Sequence, residues 1–454
     1  MRTIVTLLLF ITLSNDSYTQ EVFSHNDLLD VVRRHHPVAQ QASAGVNIAA
    51  AKVLSSRGAF DPVVALDQQQ KTFEGTEYYR RKSAALHLPL WYGMDISTGT
   101  ERADGSRLNR EETSGSLSFL GIAIDPIKTI GLDKRRAALQ QARIFRDRSE
   151  AERQAMINDI IADASYAYVD WWLYHEQLVM IQLFLLNAEE RLKMVRTMFL
   201  KGERPAIDTL EAFTQVLQMK QLENAAKTKQ LGSRMNLSMY LWNANRQGYE
   251  LPGHVIPTIQ AIDESELDTL LIAASTHPEI SIANDKIRWL GVEKRLNITA
   301  LLPDFSIKYN QLARQPSKII NSTWLRNSNQ YGVSILLPLR FSEARGDLQS
   351  TKWRIFQQQV ERQWKQQEIN TTLRKYFLEW EQLTLQVQHQ EKLVQSYVSL
   401  EMGEYTKFTN GESSLFLINN RQVKTFESQQ KLLELKAARQ KAAISLKWSA
   451  GILR

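Results

Sequence analysis

Two long stretches of this chain place apolar residues at alternating spacings of three and four. In the first, Leu178, Ile181, Leu185, Ala188, Leu192, Val195 and Phe199 fall in phase within Asp133–Lys201, a run with neither Gly nor Pro. In the second, Leu373, Tyr376, Trp380, Leu383 and Val387 keep the same spacing. This is the seam of a coiled coil. Each stretch predicts an unbroken helix of roughly 68 residues, about 100 Å long. Return helices of roughly 40 residues are predicted from Pro205 and Ser413, and helices of about 20 residues after Pro37 and Pro278. One short helix plus one return helix matches one long helix in length. The expected architecture is therefore mixed α and β, its larger part a long antiparallel bundle in which each half supplies one long rod and one broken rod.

Other segments alternate with period two. Phe305, Ile307 and Tyr309 alternate with Asp304, Ser306, Lys308 and Asn310, predicting a strand over Asp304–Leu312. Tyr331, Val333, Ile335, Leu337 and Leu339 mark a second over Gln330–Leu339. Leu86, Leu88, Leu90, Tyr92, Met94 and Ile96 read as one face of a third strand, with His87, Gly93, Asp95 and Ser97 on the other. One apolar face per strand means one side against something greasy. Such strands ended by polar turns are the weak signature of a membrane barrel, with a sheet over a soluble core as the alternative. Trp91 and Trp324 stand at strand ends, where they read either as interface aromatics of a barrel or as packed surface residues. Further strands are expected after Pro62 and before Pro126. The interval between these prolines exceeds that from Pro303 to Pro338 by roughly 29 residues, which reads as an added hairpin, either extending the sheet or lying outside it. Four to six strands fall short of the roughly eight at which membrane barrels begin. Open edges are not tolerated in lipid, so the barrel reading requires several chains.

The punctuation occurs twice in the same order. His36-Pro37 recurs as His277-Pro278, Pro62 as Pro303, Pro126 as Pro338, Asp170-Trp171 as Glu379-Trp380, and Gly202-Glu203 as Gly411-Glu412. This marks an internal duplication. It divides the chain into 21–262 and 263–454, each half carrying a helix, strands and a long helical hairpin.

Composition narrows the functions. Among 454 residues there is no cysteine, so disulfides, thiolate metal sites and cysteine nucleophiles are excluded. Met1–Gln20 has the positive start, apolar centre and polar exit of a secretory signal. No later stretch approaches the roughly 18 apolar residues of a spanning helix. The net charge of +7 is dispersed, with no basic block interleaved with aromatics, so no nucleic-acid partner is expected. His35 and His36 sit at a helix boundary rather than in a metal-ligand spacing. No cofactor is implied, and no nucleophile, base and orienter can be grouped, so no enzyme is expected.

The residues around the turns then resemble a known family. Gly202-Glu203-Arg204-Pro205-Ala206-Ile207-Asp208-Thr209-Leu210-Glu211-Ala212 is similar to the Gly-led hairpin turn of the TolC family of outer-membrane efflux and secretion channels. Gly411-Glu412-Ser413-Ser414-Leu415-Phe416 resembles it at the start and departs afterwards, through Leu417 to Arg421. Ile124-Asp125-Pro126-Ile127 through Gly131, and Leu337-Pro338-Leu339-Arg340-Phe341, resemble its strand-to-helix junctions. The resemblance covers nearly the whole chain after the signal. It implies a homotrimer in which each protomer gives four strands to a shared twelve-stranded barrel and four helical rods to a periplasmic tunnel. It also implies a passive exit channel in the outer membrane, whose tunnel end docks a periplasmic adaptor tethered to an inner-membrane pump. Gly202, Glu203, Gly411 and Glu412 would then form the docking tip, and Asp208 and Glu211 would line the tunnel constriction, with capping of the helix start as the alternative reading of the two acids. The matching second-hairpin positions, Leu417 and Asn420, lack the acids that related channels carry. A periplasmic coiled-coil adaptor or scaffold is the rival reading; it calls for one hairpin and a compact sheet domain instead of two matched halves.

Overall fold

A computed structural model of the chain describes residues 21–108, 114–259, 266–320, 328–337 and 339–453. The signal expected at Met1–Gln20, Trp324 and Pro338 lie outside the described residues. Strand β1 (Val22–Ser24) leads into α1 (His25–His35) and α2 (Pro37–Arg57). Four strands follow: β2 (Val63–Phe73), β3 (Thr76–Pro89), β4 (Met94–Asp104) and β5 (Gly115–Ile124). Helix α3 (Pro126–Ile130) turns the chain into α4 (Lys134–Leu200), and α5 (Ala206–Ser238) returns. Next come β6 (Ile256–Thr258), α6 (Leu267–Ala274), α7 (Pro278–Thr299), β7 (Asp304–Ala313), α8 (Ser317–Ile320) and β8 (Asn329–Leu336). The chain ends with α9 (Ser342–Thr409) and α10 (Leu415–Ser449). The long helices have 67 and 68 residues, and the return helices 33 and 35.

The two His-Pro pairs start helices by the same device. The His36 imidazole Nδ1 accepts from the Val38 backbone N–H at 3.2 Å, and His277 Nδ1 from that of Glu279 at 3.2 Å. Proline in the first turn has no N–H to leave unsatisfied, and histidine caps the next one. Burial holds His36 below its usual pKa, which keeps the accepting nitrogen free.

Two compact units form, each drawing on both halves of the sequence. The first comprises the described residues of Met1–Gln40, Ile157–Leu271 and Thr371–Arg454, the second those of Gln41–Met156 and Ile272–Asn370. In the first unit, Leu28 and Val32 pack with Ile161, Tyr168, Trp171, Leu237 and Leu241, all fully buried. A small parallel pair, β1 with β6, joins this core. The Tyr168 hydroxyl, with one proton to share, lies 2.6 Å from Phe23 O and 2.8 Å from Thr258 O, tying both strands to α4. Further along, Phe184, Ala188, Leu192 and Val195 of α4 meet Ala212, Val216 and Met219 of α5, together with Phe408 and Ile418. The expected seam is largely there, but Phe184 takes the buried place assigned to Leu185, and Phe199 is 43% exposed.

The second unit holds a six-stranded antiparallel sheet in the order β2-β3-β4-β5-β7-β8. This corrects two expectations. The Leu86–Ile96 run is not one strand: it turns at Trp91–Gly93, where Tyr92 and Gly93 both have φ 69°, and Leu88 ends up opposite Ile96. The added hairpin lies in the sheet, so the chain gives six strands where the resemblance implied four. At the base of α4, Asp125 caps α3 and pairs with Lys128 at 2.7 Å, while Lys128 also reaches Asp304 of β7 at 2.8 Å. Arg135 pairs with Asp95 of β4 at 2.8 Å, and Arg136 binds Asp133 and the carbonyls of Lys128 and Gly131. Sheet and helix base are thereby fixed by a net of charge-assisted hydrogen bonds.

Candidate functional site

Two features of the chain are built for something other than its own core: the ends of the paired helical hairpins, and one face of the sheet.

The hairpins turn alike. Gly202 follows α4 at φ 77°, its N–H bonded to Phe199 O and that of Glu203 to Met198 O. Gly411 follows α9 at φ 79°, its N–H bonded to Phe408 O and that of Glu412 to Lys407 O. Both are glycine-led Schellman caps, and any other residue there meets a steric cost of roughly 1–2 kcal/mol. Gly202, Glu203, Gly411 and Glu412 are all exposed.

Behind these turns a polar network joins the first hairpin to the second. Arg204 donates to Ser413 O at 3.2 Å, lies over the Phe408 ring at 4.7 Å, and stands 3.9 Å from Asp208. Glu211 accepts from Asn419 Nδ2 at 2.9 Å. The Asn419 carbonyl accepts from buried Arg191, which also donates to Gln422. Burial lowers the Arg191 pKa, and among the described residues two neutral amides carry its hydrogen bonds. Ser413 Oγ donates to Glu404 at 2.5 Å. Asp208 and Glu211 are thus half-buried partners of specific groups. Of the second-hairpin candidates, Leu417 and Asn420 are exposed, and it is the neighbouring Asn419 that meets Glu211. The sequence reading missed Arg191, Arg204 and Asn419. A signal existed for Arg191, a cation directly beside seam residue Leu192.

The sheet has one apolar face. Directly opposed residues share a face, so the register traces it across all six strands: Val64 and Leu66 on β2, Leu86 and Leu88 on β3, Met94 and Ile96 on β4. It continues through Leu120, Ile122 and Ile124 on β5, then Phe305, Ile307 and Tyr309 on β7, and Tyr331, Val333 and Ile335 on β8. The opposite face carries small and polar residues, such as Ser97, Gly99, Gly121, Asn310 and Ser334. The apolar face is uncovered: Leu66 is 78% exposed, Tyr331 78% and Ile335 65%. Trp91, 48% exposed, sits in the β3–β4 turn and stacks on Phe60 at 4.5 Å. Among the described residues, no helix is long and apolar enough to cross a membrane, and no three His, Asp or Glu side chains are grouped as metal ligands.

No protein-family model matches the sequence, and no curated protein is similar to it in sequence. Solved structures do match. The open state of the MtrE outer membrane channel of Neisseria gonorrhoeae is 15% identical at a TM-score of 0.66, covering 95% of this chain and 89% of its own. VceC, an outer membrane protein of Vibrio cholerae, is 14% identical at 0.66, over 94% and 96%. The Campylobacter jejuni CmeC outer membrane channel is 14% identical at 0.64, over 94% and 86%. The chain therefore has the fold of bacterial outer-membrane channels, the fold that the resemblance to the TolC family implied.

Proposed function

We propose that this chain is the outer-membrane exit channel of an efflux or type I secretion system, a member of the TolC family acting as a homotrimer. The observation that carries the reading is the six-stranded sheet with one continuous, uncovered apolar face and two open edges. In water such a face is a liability and such edges pair indiscriminately. In lipid the face is satisfied, and the edges demand closure with further copies. Within the same unit, α9 supports the oligomer: Trp353, Phe356, Val360 and Trp364 form an exposed apolar stripe at helical spacing, 48–70% exposed. A second copy supplies the missing side of that seam.

On this reading the helical hairpins line a periplasmic tunnel, and the turns at Gly202-Glu203 and Gly411-Glu412 dock a periplasmic adaptor bound to an inner-membrane pump. Asp208 and Glu211, with Leu417 and Asn420 at the matching positions, stand at the tunnel constriction. Trp91 anchors the sheet at the membrane interface. The channel is passive: partners supply the driving energy and select the cargo, small molecules or exported polypeptide. The two halves, 21–262 and 263–454, descend from a duplicated unit, which accounts for the paired His caps and paired Gly turns.

The test is fractionation followed by sizing and planar-bilayer recording of the purified particle. A detergent-dependent trimer from outer membranes with discrete conductance steps is expected. A monomer recovered from the soluble periplasm refutes the channel reading.

A further inference from the structure

We infer that strand β2 is an interface strand that pairs with β8 of a second copy of this chain, so that each protomer builds all six strands into the barrel wall. This rests on the channel reading and goes beyond it, since it fixes which edges meet and makes a trimer's barrel one of eighteen strands.

Three observations carry the inference. First, the added hairpin is integral to the sheet. β3 pairs with β4 without a break from Arg80↔Asp104 to Pro89↔Asp95. Gly99 of β4 is fitted to this approach, because a Cβ there would collide with Ala84 O. β4 is therefore an interior strand, and the free edges are β2 and β8. Second, direction permits closure. Every neighbouring pair is antiparallel, so over six strands β2 and β8 run opposite ways. Setting β8 against the next copy's β2 continues the alternation, and the head-to-tail contact closes into a ring. Even-numbered antiparallel barrels are the form bacterial outer-membrane proteins take. Third, the faces agree. Val64 and Leu66 at one edge and Tyr331, Val333 and Ile335 at the other belong to one apolar surface. Joining the edges makes that surface an unbroken belt with the small and polar residues inside.

The chain has no cysteine, so introduced pairs report alone. In the full-length protein in outer membranes, Val64→Cys and Leu66→Cys are each combined with Val333→Cys and with Ile335→Cys. A second set combines Ile96→Cys of β4 with the same two β8 positions. After mild oxidation, at least one β2–β8 combination should give covalent dimers and trimers on non-reducing gels, and the β4–β8 set should give none. Disulfides need Cβ atoms about 3.5–4.5 Å apart, so the readout is specific to strand neighbours. Cross-linking through β4–β8 overturns the inference, because it places the β2–β3 hairpin outside the wall. Absence of any cross-link in variants that still size as trimers overturns it too. A parent protein that never forms a trimer instead refutes the channel reading, and the inference with it.

Discussion

Arg204→Ala isolates the tie between the two hairpin turns. Its side chain is 19% exposed and faces Ser413 O, the Phe408 ring and Asp208. A hydrogen bond from a charged donor contributes about 1.5–3 kcal/mol, and at 3.2 Å this one falls at the lower end. The cation over Phe408 adds about 0.5–1 kcal/mol. The ion pair to Asp208, at 3.9 Å, adds between about 0 and 1 kcal/mol. Since the three share one side chain, their joint loss is about 2–3 kcal/mol. At about 1.4 kcal/mol per tenfold, local opening becomes roughly 30- to 140-fold more frequent. The assay is native-state hydrogen exchange. The Gly411 and Glu412 amides, bonded to Phe408 O and Lys407 O, belong to the hairpin Arg204 does not sit on, so faster exchange there reports the lost tie. Arg204→Lys keeps the charge but not the planar fork, and its exchange should fall between. A Phe408→Leu cycle should show a coupling of about 1 kcal/mol with Arg204→Ala. Faster exchange confined to the first turn, with Gly411 and Glu412 unchanged, would refute the reasoning.

Leu185→Pro removes a hydrogen bond in the middle of α4 at a cost of about 3 kcal/mol or more. It also shifts Phe184, Ala188 and Leu192 out of register with α5, so cargo export should be lost; unchanged export at normal abundance speaks against a continuous helical conduit. His25, half-buried, meets Ser165 Oγ at 2.8 Å, and desolvation first, then Lys447 and Arg33, lower its pKa from 6.5 to about 4. The folded ring stays neutral where the unfolded chain takes up a proton, so stability is full above pH 6.5 and falls as pH drops towards 4. The loss by pH 4.5 is about 2–3 kcal/mol. Denaturation midpoints at pH 7.5 and 4.5 should converge in His25→Gln, and an equal acid loss in both proteins would count against His25 as its source.

The first long helix could be read directly because Asp133–Lys201 has no breaker and a sustained seam, and its observed ends lie within a residue of that run. What failed failed for local reasons. The Leu86–Ile96 alternation stays in phase through the β3–β4 turn, since the positive φ at Tyr92 and Gly93 brings Leu88 and Ile96 face to face. Period counting cannot see such a turn; the Tyr-Gly pair was the one local cue. In β2, Gln68, Gln69 and Gln70 erase the alternation, so its strand character rests on pairing with β3. Strands β1 and β6, three residues each, are too short for any periodicity and are held by the Tyr168 hydroxyl.

The hairpin turns divide in the same way. Gly202 and Gly411 were legible because a backbone at φ 77° and 79° restricts the residue type itself. The network behind them was not, because it depends on which helix faces meet across two hairpins distant in sequence. Asn419 and Asn420 differ by one position and look equivalent in the sequence. One helical step of about 100° separates them, and that rotation buries Asn419 between Arg191 and Glu211 while leaving Asn420 exposed. The second hairpin lacks an acid at these positions, yet Glu211 of the first finds its partner there. The chain thus sets a carboxylate from one hairpin against an amide from the other. Arg191 then completes the chain of hydrogen bonds from Glu211 through Asn419 to Gln422. In this buried network one Arg191 Nη carries both hydrogen bonds to the amides, while its Nε, also buried, has no acceptor. Displacing either hairpin would take from the Arg191 guanidinium the two amide acceptors that it has, both of them on the second hairpin.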